Sequence, residues 1–127
     1  MQQSLKGKKI LVVDDHPFFR ITIRKTLEAL GCEMYEATDG YTAIDVAQAI
    51  EPDLVIVDYI MPGKDGIQTC KDLKAVGSLK QTHLVMFTDQ SMKQVVIDAI
   101  KAGVKDFITK TAGMDVIVKK IEDILLK

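Results

Sequence analysis

Cysteine and histidine are both scarce in this chain, with two of each in 127 residues. Cys32 and Cys70 stand in apolar surroundings with no second Cys or His at ligand spacing, which argues against a disulfide framework or a zinc site and for two buried free thiols. His16 and His83 are too far apart in sequence to suggest a local site, and His83 suits a loop or strand edge. Charge of either sign is not in surplus: 17 Lys and Arg face 18 Asp and Glu, for a formal charge of −1. That balance leaves no electrostatic footprint for direct nucleic-acid binding or for an anionic membrane. No apolar run approaches the roughly 20 residues of a transmembrane helix, and the opening MQQSLKGKK lacks the apolar core of a signal peptide. A cytoplasmic protein without a membrane partner is expected. Prolines are few (three), and Pro17, Pro52 and Pro62 all fall where an element should begin or end.

What is present is a 47% hydrophobic chain of about one domain's length, 1–127 with a core from about residue 8, and no internal linker. Its organising stretch is Asp53 to Gly66, DLVIVDYIMPGKDG. Leu54 to Val57 is a short, continuous, mostly β-branched apolar run, the pattern of a strand buried on both faces. Asp58 ends that run. Met61-Pro62-Gly63 and Asp65-Gly66 then supply turn chemistry, so Asp58 stands where a central strand meets a loop.

The remaining chain alternates in the same way. Lys9 to Val13 reads as strand 1, ending in Asp14-Asp15. Pro17 opens helix 1, which runs to Leu30 with Gly31 as its stop, and Phe19, Ile23, Leu27 and Leu30 share one face. Cys32 to Ala37 is a polar, edge-like strand, followed by helix 2 over Tyr41 to Ala49. After strand 3, helix 3 covers Ile67 to Val76, and Ser78 to Gln81 is a loop. Strand 4, His83 to Phe87, ends in Thr88. Helix 4 spans Ser91, its N-cap, to Ala102; strand 5 spans Val104 to Thr109, followed by Lys110; helix 5 runs from Met114 to Leu126. Five strand–helix alternations with short connections predict an α/β fold, a doubly wound five-stranded parallel sheet with helices on both faces. The two most continuous apolar strands belong in the centre, which favours the order 2-1-3-4-5.

In a parallel sheet, strand ends share one edge. Asp14, Asp15, Asp58, Thr88 and Lys110 are therefore expected together, on strands about 4.8 Å apart. Three carboxylates at that range disfavour one another's ionisation. A hard divalent cation removes the conflict, and an oxygen ligand set with no Cys or His nearby points to Mg²⁺. Mg²⁺, the Lys110 ammonium and the Thr88 hydroxyl offer three contacts for a phosphoryl group, with Asp58 as the attacking oxygen.

These residues, as VVDD, VDYIMPGKDG, Thr88 and Lys110, resemble the receiver domain of two-component response regulators, a chemotaxis-regulator-like module of flavodoxin-like fold, over nearly the whole chain. The resemblance implies that Asp58 accepts a phosphoryl group from a histidine kinase or phosphotransfer protein, acting as a conformational switch on a downstream target or fused output domain. It implies Mg²⁺ ligation by Asp15, Asp58 and the Ile60 backbone carbonyl, with Asp14 acting mainly through water. It also implies a switch pair, Thr88 and Phe107, and no enzymatic activity beyond the domain's own phosphoryl transfer and dephosphorylation. Three positions depart from the family pattern. Asp89 replaces a small residue after Thr88, Thr111 replaces a proline after Lys110 and favours a trans bond there, and Phe107 replaces the commoner tyrosine.

Apolar residues off the core stripes mark surfaces. Phe18 and Ile21 lie away from helix 1's buried face and near the acidic edge, where the family docks its phosphodonor. In helix 4, Met92, Val96, Ala99 and Ile100 are expected to share a face, leaving Ile97 outside it. Val116 is off the stripe of helix 5. Ile97 and Val116, flanked by Lys101, Lys105 and Lys119, are the candidate readout face. Two rivals are a non-phosphorylated binding module of the same fold, favoured by Asp89, and an aspartate-nucleophile phosphatase, disfavoured because Ile60 stands where a second acid is needed. A flavodoxin-like cofactor binder is disfavoured by Asp14-Asp15, which would repel a phosphate.

Overall fold

The computed structural model describes residues 5–88 and 93–126. The elements are β1 (Lys9–Val13), α1 (Pro17–Glu28), β2 (Glu33–Ala37), α2 (Gly40–Ile50), β3 (Leu54–Asp58), α3 (Gly66–Ala75), β4 (His83–Phe87), α4 (Lys93–Lys101), β5 (Val104–Ile108) and α5 (Met114–Leu125), with one 3₁₀ turn at Gly77–Leu79. All strand pairs are parallel and the order is β2-β1-β3-β4-β5, as the apolar continuity of β1 and β3 predicts.

Alternation along the central strands divides the core in two. Leu11, Val13, Val55, Val57, Leu84 and Met86 share a core with α2, α3 and α4 through Ala43, Ala47, Cys70, Leu73 and Ala99, and with Ala102 just past α4. Ile10, Val12, Leu54, Ile56, Val85 and Phe87 face α1 and α5 through Ile23, Leu27, Ile117, Ile121 and Ile124. Every residue of β3 is buried, Asp58 included. At roughly 25 cal/mol per Å² of apolar surface removed from water, this double-sided burial is the main force holding the strand ends in register. Both cysteines are free and buried. Burial pushes the Cys32 thiol up to about 11 and the Cys70 thiol up to about 12, so neither is a reactive thiolate at neutral pH.

Helix starts are fixed by side chains on the loops. Asp39 accepts the Thr42 N–H at 2.8 Å to cap α2. Asp65 and Gln68 form a reciprocal capping box on α3, at 2.9 and 3.1 Å. Gly31 takes φ +93 after α1, which ends at Glu28, two residues sooner than the apolar pattern indicates, while Leu30 still packs on the core.

Two expectations change. Leu79, assigned to a loop, is fully buried as the end of the 3₁₀ turn. In α4 the buried positions are Val95 and Ala99, not a Val96–Ala99–Ile100 face. Ile100 is exposed, Val96 is half-buried, and Ile97, expected outside the stripe, is half-buried too. Met92, the Ser91 cap and Asp89 lie outside the described residues.

Gly66 allows the chain to close behind Asp58. Its N–H donates to Tyr59 O at 2.8 Å, and a Cβ there would stand 2.4 Å from the Asp58 carbonyl oxygen and 2.8 Å from Tyr59 Cα. Both neighbours are backbone, so neither can move aside cheaply. Gly66→Ala is expected to destabilise the fold by about 1–3 kcal/mol in urea unfolding. Gly77→Ala, which meets nothing within 4 Å, is the control and should be neutral or slightly stabilising.

Candidate functional site

Register brings the predicted residues to one edge. Val13 pairs with Val57 and Asp58 with Phe87, so Asp14, Asp58 and Thr88 follow from adjacent central strands. Phe87 pairs with Ile108, which places Lys110 two residues beyond on the next strand. Asp14, Asp58 and Thr88 are buried, and Asp15 is half-buried. The Thr88 N–H donates to Ile108 O at 3.1 Å, which ties the end of β4 to β5.

Lys110 is the cation between the acids. Its Nζ donates to Asp58 Oδ2 at 3.1 Å and lies 3.0 Å from Asp14 Oδ2. It also sits 4.9 Å from the centroid of the Phe19 ring, which in turn meets Phe87 edge-on at 4.8 Å. Phe19 and Lys110, with His16 and Phe18, line an open recess of about 320 Å³ beside the acids.

One ammonium does not neutralise this set. Burial, then the Asp14 charge, push the Asp58 carboxyl up to about 6; the Lys110 hydrogen bond and charge oppose the rise, and Asp15 adds to it. Burial alone would lower the Lys110 ammonium, but its hydrogen bonds and ion pairs with Asp14, then Asp58, more than offset that and raise it. Asp15 Oδ1 is buried without a hydrogen bond among the described residues, while Asp14 Oδ2 is held by Lys110 at 3.0 Å. One donor atom each from Asp14, Asp15, His16 and Asp58 lies within 4.8 Å of the others. Three carboxylates this close, with a single ammonium among them, fit a hard divalent cation.

His16 is a correction to the expectation that no histidine stands near the acids. Its Nδ1 lies 3.2 Å from Asp14 Oδ1, 3.3 Å from Asp15 Oδ1 and 3.9 Å from Asp58 Oδ2. Adjacency to Asp14-Asp15 was the available signal; distance from His83 was the wrong test. Arg20 was also missed. It donates through Nη1 to Asp14 O at 2.8 Å and through Nε to Glu36 Oε1 at 2.8 Å, clamping the β1 end to the edge strand. Its place one turn after His16 was the clue.

The other predicted positions are less convergent. Ile60 lies two residues past β3 with its side chain 60% exposed. Phe107 is half-buried against the α2–α4 side of the core. Phe18 is 84% exposed and lines the recess, and Ile21 sits at the margin of exposure. Val116 is exposed on α5. Among the described residues no peptide bond is cis, so the link into Thr111 is trans.

The raised Asp58 carboxyl sets the sign of a pH effect. Without metal, the folded chain binds more protons than the unfolded chain between about pH 4 and pH 6. This group's contribution to stability is therefore present at the acid end and lost as pH rises through 6. In chelator, urea unfolding of Asp58→Asn relative to the parent should show a stabilisation that grows from pH 4 to pH 7, reaching ~1–2 kcal/mol. A difference that shrinks over that range would contradict the assignment.

Comparison with known proteins agrees with this geometry. The family model described as the response regulator receiver domain matches residues 10–122. The chemotaxis protein CheY of Bacillus subtilis is 37% identical over 92% of this chain and 97% of its own length. The structure of the Vibrio cholerae chemotaxis protein CheY4 superposes with a TM-score of 0.90 at 26% identity, covering 94% of this chain and 99% of that one. The receiver domain of a Pseudomonas aeruginosa sensor histidine kinase, solved with a magnesium ion coordinated in its active-site cleft, shares the fold at a TM-score of 0.86. It is 21% identical, covering 95% of this chain and 99% of that one. Among the described residues no helix is long and apolar enough to cross a membrane.

The expectation of no enzymatic activity beyond the domain's own phosphoryl transfer and dephosphorylation is corrected by these matches. They place the chain among proteins whose known role is a phosphoryl-accepting switch, and a classification as a non-enzyme is a weak fit to such a site. Proteins of this kind interact with histidine kinases and with downstream targets. With a matching family model over most of its length and a relative aligned nearly end to end, this chain belongs to the response regulator receiver domains, the phosphoryl-accepting switches of two-component signalling.

Proposed function

We propose that Asp58 is the phosphoryl acceptor of a single receiver domain spanning 1–127, working in the cytoplasm with a histidine kinase or phosphotransfer protein as donor. The observation that carries this reading is Lys110 bridging Asp14 and Asp58 at 3.0 and 3.1 Å, beside the buried Asp15 Oδ1, which has no hydrogen bond among the described residues. Asp14, Asp15, Asp58 and the Ile60 carbonyl would hold Mg²⁺, which supplies charge neutralisation for the acids and the incoming phosphoryl group.

The chain's own groups do the rest. Asp58 attacks phosphorus; the O–P bond forms as the donor's N–P bond breaks, and the electron pair leaves on the donor imidazole. Lys110 turns from pairing two carboxylates to pairing phosphoryl oxygens, so its bond to Asp58 is exchanged rather than lost. Thr88, held at the β4 end, donates its hydroxyl to the phosphoryl group. Phe107, half-buried on β5, then packs further inward. Phe18, which lines the recess, and Ile21, three residues further along α1, receive the donor, and Val116 belongs to the readout face. Ile97 is a weaker member of that face, because it is already half-buried.

Incubation with a small phosphodonor such as acetyl phosphate and Mg²⁺ should add one phosphoryl group, mapped by mass spectrometry to Asp58. Asp58→Asn should abolish it, and Lys110→Ala should slow it by about 10²–10³-fold while leaving the fold intact. Modification that survives Asp58→Asn would reject Asp58 as acceptor. No modification of the parent chain would favour a binding module that reads partners without phosphorylation.

A further inference from the structure

We infer that His16 is a nitrogen donor to the same metal site and tilts its choice of ion toward divalent transition metals, with Ni²⁺ as the diagnostic case. The inference rests on reading Asp14, Asp15 and Asp58 as metal ligands.

Backbone geometry aims the ring. His16 is the N-cap residue of α1, with extended backbone at φ −92 and ψ 107, and Pro17 fixes the turn that follows. Its N–H donates to Asp14 Oδ1 at 2.9 Å, which ties the residue to the first acid. The side chain is 65% exposed, yet Nδ1 is turned toward all three carboxylates.

The spacing matches a coordination shell. With metal–ligand bonds of about 2.1 Å, neighbouring donors of an octahedron stand about 3.0 Å apart and opposite ones about 4.2 Å. Nδ1 lies 3.2 and 3.3 Å from Asp14 Oδ1 and Asp15 Oδ1, near the first value, and 3.9 Å from Asp58 Oδ2, near the second. Nδ1 is within hydrogen-bond distance of Asp14 Oδ1 at 3.2 Å, so metal binding would exchange that contact for a coordination bond.

Charge points the same way. The cluster has three carboxylates against one ammonium, and a neutral imidazole adds a ligand without adding negative charge. An all-oxygen set suits Mg²⁺, and one imidazole leaves Mg²⁺ almost indifferent. Later first-row ions gain strongly from nitrogen, in the order Mn²⁺ to Ni²⁺. His16 therefore acts on the ratio of affinities rather than on Mg²⁺ binding itself.

The test is calorimetric titration of the untagged, chelator-stripped chain with Mg²⁺ and, separately, Ni²⁺, for the parent, His16→Ala, His16→Gln and His83→Ala. Both His16 variants should weaken Ni²⁺ by about 10–100-fold and change Mg²⁺ by less than about 3-fold. His83→Ala should change neither, and circular dichroism should show all three variants folded. An unchanged Ni²⁺ affinity, or equal losses for both ions, overturns the inference while Mg²⁺ binding by the parent leaves the acceptor reading standing. A parent that takes Ni²⁺ through His16 but never Mg²⁺ upholds the nitrogen donor and overturns the Mg²⁺ reading instead.

Discussion

The Lys110 ammonium reaches Asp14 and Asp58 at once, and the rest of the site is arranged around what that single charge leaves undone. Two buried carboxylates and a third half-buried one crowd the end of the sheet, and one cation is too few for them. The Asp58 carboxyl, pushed up to about 6 by burial and by Asp14, records the shortfall. Such a cluster is costly in the resting molecule. On the proposed reading it is also ready to accept positive charge, and after that a phosphoryl group whose oxygens Lys110 would hold in place of a carboxylate.

The sheet bears that cost. Central strands packed on both faces cannot slide without moving apolar side chains out of two cores at once, so the acids stay together despite repelling one another. Smaller devices finish the placement. Gly66 lets α3 begin against the Asp58 carbonyl, Arg20 holds the Asp14 carbonyl from α1, and Phe19 supports the Lys110 ammonium from beneath. Each contributes little alone. Together they fix groups that electrostatics would otherwise spread apart.

The strands and the acid edge were legible because each rests on a local pattern. Continuous β-branched runs ending in Asp give both the strand and the point where it stops, and parallel alternation then superposes the ends without further information. The rest depended on tertiary context. Val95, Val96, Ile97 and Ile100 give α4 apolar residues on several faces, so periodicity could not say which pair, Val95 and Ala99, meets the sheet. Leu79 is one apolar residue in a polar loop, and only the fold shows the gap it fills. His16 was overlooked for a different reason. Its partners are its two preceding neighbours and a residue from β3, a meeting that neither helix spacing nor the distance to His83 reveals.

Crowded acids relieved by a cation make one direct thermodynamic claim: the folded chain must bind a divalent ion that the unfolded chain does not. Calorimetric melting at neutral pH with chelator and with millimolar Mg²⁺ measures it. The transition should move upward with Mg²⁺ by an amount that follows RT ln(1 + [Mg²⁺]/Kd), about 1.4 kcal/mol at ten times Kd, and the shift should vanish in Asp15→Asn. A melting temperature indifferent to Mg²⁺, or a shift that persists without the Asp15 carboxylate, would contradict it.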